Sequence, residues 1–120
     1  MSRLSTLITL DTQKAVKRLL NEIPKLRQMA GDGDIDATTL MLDINRVLVN
    51  AKLTERQRQV IDLRYVGGLT LADVGAALDV APQVAHINEG RALNALVREF
   101  KRMTEDGDHS FVAHGKDVDA

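Results

Sequence analysis

The sequence predicts an all-α fold. Apolar residues recur at the 3.6-residue helical spacing along most of the chain, and no stretch shows the apolar–polar alternation of a half-buried strand. The interior must also be built from Leu, Val, Ile and Ala, because the 120 residues include one tyrosine, two phenylalanines and no tryptophan. That composition suits packed helices better than a sheet, where aromatic residues are enriched.

Residues 1–10 carry no strong period. Asp11 and Thr12 then offer a carboxylate and a hydroxyl to cap a first helix. Val16, Leu19, Leu20, Ile23 and Leu26 follow at helical spacing, and Pro24 inside that pattern predicts a kink or a fresh helix start. Ala30-Gly31 reads as a C-cap. Residues 31–36, GDGDID, read as a loop in which Asp36 caps the next helix. Leu40, Ile44, Val47, Leu48 and Ala51 form one stripe through residues 37–51. Leu53-Thr54 opens a third helix, with Thr54 and Gln57 spaced for a capping box. Val60, Ile61, Leu63 and Tyr65 supply its buried side, and Gly67-Gly68 stop it. Thr70 caps a short helix whose Leu71, Val74 and Leu78 point inward. A turn at Asp79-Val80-Ala81 leads to Pro82, a favoured first helical residue. The last helix runs to about Met103, with Ala92, Leu93, Leu96, Val97 and Phe100 on its apolar side. The remainder, TEDGDHSFVAHGKDVDA, is acidic and aperiodic and reads as a disordered tail. The expected organisation is a helical segment over 1–52, a helix-turn-helix domain over 53–102 and a tail over 103–120.

Net charge is −1, distributed as +1 over residues 1–50, +2 over 51–102 and −4 over 103–120. A nearly neutral body with an acidic tail is a weak footprint for nucleic acid and neither supports nor excludes a site-specific DNA binder. So few rings argue against base-stacking platforms for single strands. The absence of cysteine excludes disulfides, thiolate metal sites and cysteine nucleophiles. No apolar run is long enough to span a bilayer, and the N-terminus lacks the h-region and cleavage site of a secretory signal, so a cytoplasmic location is the expectation. Asp32, Asp34, Asp36 and Asp43 occupy positions 1, 3, 5 and 12 of a calcium-loop pattern. Ala37 replaces its turn glycine, though, and Asp43 its long glutamate, so an acidic loop capping a helix is the better reading. His86, His109 and His114 lack companions for a metal site. Ser2, Ser5 and Ser110 lack a base and its orienter, and no glycine-rich phosphate loop exists. Neither enzyme activity, nor a metal, nor any other cofactor is expected.

Residues 70–91 have the layout of a helix-turn-helix, in which a short brace helix holds a second helix in the major groove. The small Gly75 and Ala76 in the brace permit close helix contact. The second helix offers Gln83, His86, Asn88 and Arg91. Gln and Asn read adenine, and Arg reads guanine or holds a phosphate. Arg56, Arg58 and Arg64 on the preceding helix are placed to grip the DNA backbone.

LTERQRQVIDLRYVGGLTLADVGAALDV followed by APQVAHINEGRALNALVREF resembles region 4 of the sigma-70 family of transcription initiation factors, and is similar to the related LuxR-type helix-turn-helix. The opening LTERQRQVIDLRYVGGLT is its most specific part, and Glu89 to Leu93 falls at the matching distance. The resemblance covers roughly residues 53–100 and implies a four-helix DNA-binding domain. Arg56, Arg64, Thr70 and Leu71 would approach phosphates, with Gln83, His86 and Arg91 on the groove side. It also implies contact with RNA polymerase. Ala81 stands where the family has a small polar cap, and Asp79 where it has Gly. The family's apolar positions carry Ala85 and Asn88, while Val84 and Ile87 fall on the side that should face DNA. The rings and length needed for a complete sigma factor are missing. The chain resembles instead the stand-alone region 4-like regulators common in phages and mobile elements.

The leading expectation is therefore a sequence-specific double-stranded DNA-binding transcriptional regulator. One alternative is a module that binds RNA polymerase or a sigma partner through Val84 and Ile87. A second is a small-terminase-like phage packaging subunit. The N-terminal stripe, Val16 to Leu26 with Leu40 to Leu48, has two readings. It packs on the helix-turn-helix as one core, or it forms a homodimer or larger homo-oligomer that doubles the module.

Overall fold

The computed structural model describes residues 12–105. Asp11, the tail after Glu105, His109, Ser110, Phe111 and His114 lie outside them, as do Ser2 and Ser5. Among the described residues every regular element is helical: α1 (Gln13–Leu20), α2 (Ile23–Gly31), α3 (Ile35–Asn50), α4 (Glu55–Ile61), α5 (Leu71–Leu78) and α6 (Pro82–Glu105). None of these helices is long and apolar enough to cross a membrane.

Local chemistry sets the boundaries. Thr12 caps α1 by accepting from the Ala15 N–H at 3.2 Å. Pro24 starts α2 after a break at Asn21-Glu22, the fresh start its missing N–H allows. The end of α2 differs from expectation. Gly31 is still helical, and Gly33 takes the left-handed backbone at φ 96°. Asp34, not Asp36, caps α3, accepting from the Ala37 N–H at 3.0 Å. Asp36 sits in the first turn instead, where an acid favours the positive end of the helix dipole. Lys52 is left-handed at φ 55° just past the C-cap of α3, with no glycine to mark that stop. Thr54 and Gln57 form the expected capping box, with both bonds at 3.1 Å. Residues Asp62–Val66 then widen into one π-helical turn closed by Gly67 N–H donating to Asp62 O at 2.9 Å.

Two apolar clusters result. The larger joins Val16, Leu20 and Leu26 with Leu40, Ile44 and Val47, and with Ile61, Tyr65, Leu93, Leu96, Phe100 and Met103. The N-terminal stripe is therefore buried within the chain's own core, which crosses the expected boundary between residues 52 and 53. Met103, assigned to the tail, is fully buried, and α6 runs on to Glu105. The smaller cluster has Val60, Val74 and Ala85 at its centre, flanked by Leu63, Leu69, Leu71, Leu78 and Val80. The wide turn after α4 aims Leu63 at the small cluster and Tyr65 at the large one. Helix α6, 24 residues and about 36 Å long, passes through both and ties the helix-turn-helix to the N-terminal helices.

Candidate nucleic-acid interface

The brace helix α5 begins at Thr70, whose hydroxyl accepts from the Asp73 N–H at 3.1 Å. It ends at Asp79, left-handed at φ 58°, a conformation an Asp tolerates better than most side chains. The chain turns sharply, and Val80 N–H donates to Gly75 O at 2.8 Å. A Cβ on Gly75 would sit 2.7 Å from Val80 O and 3.3 Å from Pro82 N. The close approach therefore belongs to Gly75 against the turn, whereas the side chain of Ala76 is exposed and its carbonyl accepts from the Asp79 N–H at 3.3 Å. Ala81 supplies its carbonyl to the first turn of α6, accepting from Val84 N–H at 2.9 Å and Ala85 N–H at 3.2 Å, without a side-chain cap.

Ala85 is fully buried, and Glu89, Ala92 and Leu93 follow on the same inward face of α6. Gln83, His86 and Arg91 are exposed on the other side. Val84 and Ile87 are 41% and 51% exposed there. Asn88 is half-buried, its side-chain amide donating to Val84 O at 3.0 Å.

The three arginines before the motif, Arg56 and Arg58 on α4 and Arg64 in the wide turn after it, are used unequally. Arg56 is exposed and reaches Leu78 O at 3.1 Å, pinning the end of the brace. Arg58 is half-buried and donates to Leu48 O at 3.2 Å. Arg64 turns inward, its Nε 2.7 Å from Glu89 Oε2 and its Nη1 3.2 Å from Leu69 O. Tyr65 donates its hydroxyl to the same Glu89 oxygen at 2.8 Å. Burial, then the hydrogen bond and charge of Glu89, raise the Tyr65 hydroxyl well above the ordinary tyrosine range. His86 Nδ1 stands 3.9 Å from the other Glu89 oxygen, an ion pair only when that ring is protonated.

Sequence reasoning placed Glu89 in a matching string but did not see it as the centre of this network. A carboxylate four residues after Ala85 and four before Leu93, on the apolar face of a helix, was the available signal. Gln13 was missed as well. Its amide joins α1 to α6, donating to Asn94 Oδ1 at 2.6 Å and to Gly90 O at 3.4 Å.

The acidic residues of the calcium-like pattern do not form one loop. Asp34 caps α3 and Asp43 is buried two turns further along it. Among the described residues no three His, Asp or Glu side chains gather as metal ligands.

A brace, a sharp left-handed turn and an outward-facing second helix define a helix-turn-helix. Residues 51–96 match the family model for sigma-70, region 4. This part of the chain is therefore similar to sigma-70 region 4, and its geometry is that of a helix-turn-helix. No curated protein and no solved structure matches the chain. Within the region 4-like module the second helix of the motif is the N-terminal part of α6. Its departures from the expected pattern have a structural basis, since Ala85 fills the small cluster and Asn88 bonds back to its own helix.

Proposed function

We propose that the chain is a sequence-specific double-stranded DNA-binding regulator of transcription, acting in the cytoplasm on chromosomal or phage DNA. The observation that carries this reading is the outward array of Gln83, His86 and Arg91 on the segment that follows the brace and turn. Those side chains match the donor and acceptor patterns of the major groove. Arg56 and Thr70 are proposed to position the duplex through phosphates, and Asn88 to add a contact through its remaining amide oxygen. Arg58 lies on the same helix and is proposed as a further phosphate contact. The test is a salt series of binding to random-sequence duplex, followed by selection of a preferred site from a random pool. Affinity that falls steeply with salt, and a recurring selected sequence, are expected. Absence of binding at low salt overturns the reading.

The exposure of Val84 and Ile87 on that same face favours a second reading, in which the module docks on RNA polymerase or a sigma partner. Purified polymerase retained by the immobilised chain without DNA, and lost with Val84→Asp or Ile87→Asp, is its expected result. Thymine preferences in the selected site that vanish with Ile87→Ala would instead assign these residues to base methyl groups.

The N-terminal helical segment is proposed to be the oligomerisation element through the outer face of α3, since its first stripe is internal. Ile35, Leu42 and Val49 are 79%, 62% and 66% exposed. Ile35 and Val49 each lie seven residues from Leu42, so an antiparallel pair about Leu42 sets Ile35 against Val49 of a second copy. That arrangement also opposes Asp32, Asp34 and Asp36 at one end to Arg46 and Lys52 at the other. A dimer mass by light scattering that becomes monomeric with Leu42→Lys is expected. A monomeric unsubstituted chain overturns the proposal, and a large ring of protomers would favour a packaging subunit.

A further inference from the structure

We propose that the basic face of α1, carrying Lys14, Lys17 and Arg18, is a second phosphate-binding site that grips the same DNA duplex beside the recognition helix. The inference rests on the DNA-binding reading above.

The first observation is a shortage of charge. Residues 51–96 hold five cations and five acids, so the module matched to region 4 is neutral. Within it Arg64 is engaged with Glu89 and Leu69, and Arg58 with Leu48. DNA affinity comes largely from neutralised phosphates and the counterions they release. A neutral module in which Arg56, Arg58 and Arg64 each donate to an internal partner supplies little of that term.

The second observation is where charge is concentrated. The eight residues of α1 include three cations and no acid. Lys14 and Arg18 are exposed and Lys17 is half-buried. Together with Gln13 and Asn21 they line one open depression free of acidic side chains.

The third is placement. Gln13 holds the N-terminal end of α1 against Gly90 and Asn94, one and two turns past His86 on α6. Val16, Leu19 and Leu20 anchor the opposite side of α1 in the large cluster. The cations are thus presented outward by a helix locked to the recognition helix itself. Lys14 to Arg18 span about 6 Å of helix, starting one residue from that lock. With the start of α6 in the major groove, a basic helix beside its exit faces the flanking phosphate backbone.

The experiment compares the full chain with its Lys14→Ala/Lys17→Ala/Arg18→Ala variant in a salt titration of binding to random-sequence duplex. Loss of three phosphate contacts is expected to reduce the slope of log affinity against log salt by about 2.7. The helical melting temperature should not change. A Lys14→Gln/Arg18→Gln variant, confined to the two exposed positions, is expected to reduce the slope by about 1.8, and it keeps the test open where the Lys17 change disturbs packing. A slope equal to that of the unsubstituted chain in a folded variant overturns this inference alone. No duplex binding by the unsubstituted chain at low salt overturns the DNA reading and this inference with it.

Discussion

Arg64 Nε lies 2.7 Å from Glu89 Oε2, joining the wide turn after α4 to the middle of α6 across 25 residues of sequence. Glu89 is only 2% exposed and Arg64 28%. Because the carboxylate sits between Ala85 and Leu93, the pair fixes which side of the recognition helix faces inward. Arg64→Ala strands a buried charge with Tyr65 as its remaining close donor, and should lower stability by about 3 kcal/mol. Adding Glu89→Leu to that variant should restore part of the loss, since an apolar side chain needs no partner there. Urea midpoints at constant m-value measure both. A double variant no more stable than Arg64→Ala alone would dismiss the buried-charge account.

Tyr65 makes the same network pH-dependent at the alkaline end. The folded chain holds the hydroxyl proton more tightly than the unfolded chain, whose tyrosine ionises near 10. The stabilisation is therefore complete below about pH 10 and is lost as pH rises from there towards the folded-state pKa. Tyr65→Phe should lower stability at neutral pH by about 1 kcal/mol, the net worth of one hydrogen bond. It should also flatten the decline above about pH 10. Parallel pH curves for the two proteins would show that Tyr65 ionisation does not drive the alkaline loss.

Much of this architecture is legible because short-range chemistry agrees with it. Thr12, Thr54 and Thr70 cap the helices that follow them, Pro24 and Pro82 open others, and Leu93, Leu96 and Phe100 point inward as their spacing requires. What escaped depends on tertiary context. Asp34 and Asp36 are both good caps, and only the path out of Gly33 decides between them. The π turn at residues 62–66 is set by the two clusters that Leu63 and Tyr65 enter, not by local propensity. The outward position of Gln83, His86 and Arg91 on α6 was legible from their spacing. The inward turn of Arg64 was not, because a sequence does not say whether an arginine meets phosphate or carboxylate.

Lys52 offers a stabilising change. It stands left-handed at φ 55° just after the C-cap of α3, where a Cβ costs about 1–2 kcal/mol. Glycine removes that strain and returns about 0.5–1 kcal/mol through its greater freedom when unfolded. Lys52→Gly should therefore raise stability by about 0.5 kcal/mol. Asp79→Gly should change it far less, because an aspartate already tolerates its φ of 58°. Thermal melts of the two variants compare the turns directly. A larger gain at Asp79 than at Lys52 would contradict the strain argument.

Gly75 carries the opposite expectation. A methyl group there meets Val80 O at 2.7 Å, and that oxygen is backbone in a turn closed by its own hydrogen bond, so no flexible side chain can yield. Gly75→Ala should destabilise by about 1–3 kcal/mol and loosen the angle between α5 and α6. DNA affinity should then fall further than the unfolded fraction alone explains. Binding corrected for unfolding that equals that of the unsubstituted chain would mean the turn tolerates the shift.

Arg91 and Arg56 are proposed for different roles, one reading bases and the other holding the backbone. Both are exposed, yet Arg91 lies on the recognition helix while Arg56 sits on α4 and braces Leu78 O. If Arg91 contacts a base edge, Arg91→Ala should weaken binding to the selected site by about 1–3 kcal/mol and relax one position of its sequence. Arg56→Ala should weaken all duplexes alike and reduce the salt slope by about 1. Measuring both variants on selected and random duplexes, at two salt concentrations, distinguishes the roles. A uniform loss for Arg91→Ala would reassign it to the phosphate backbone and leave Gln83 and His86 as the readers on α6.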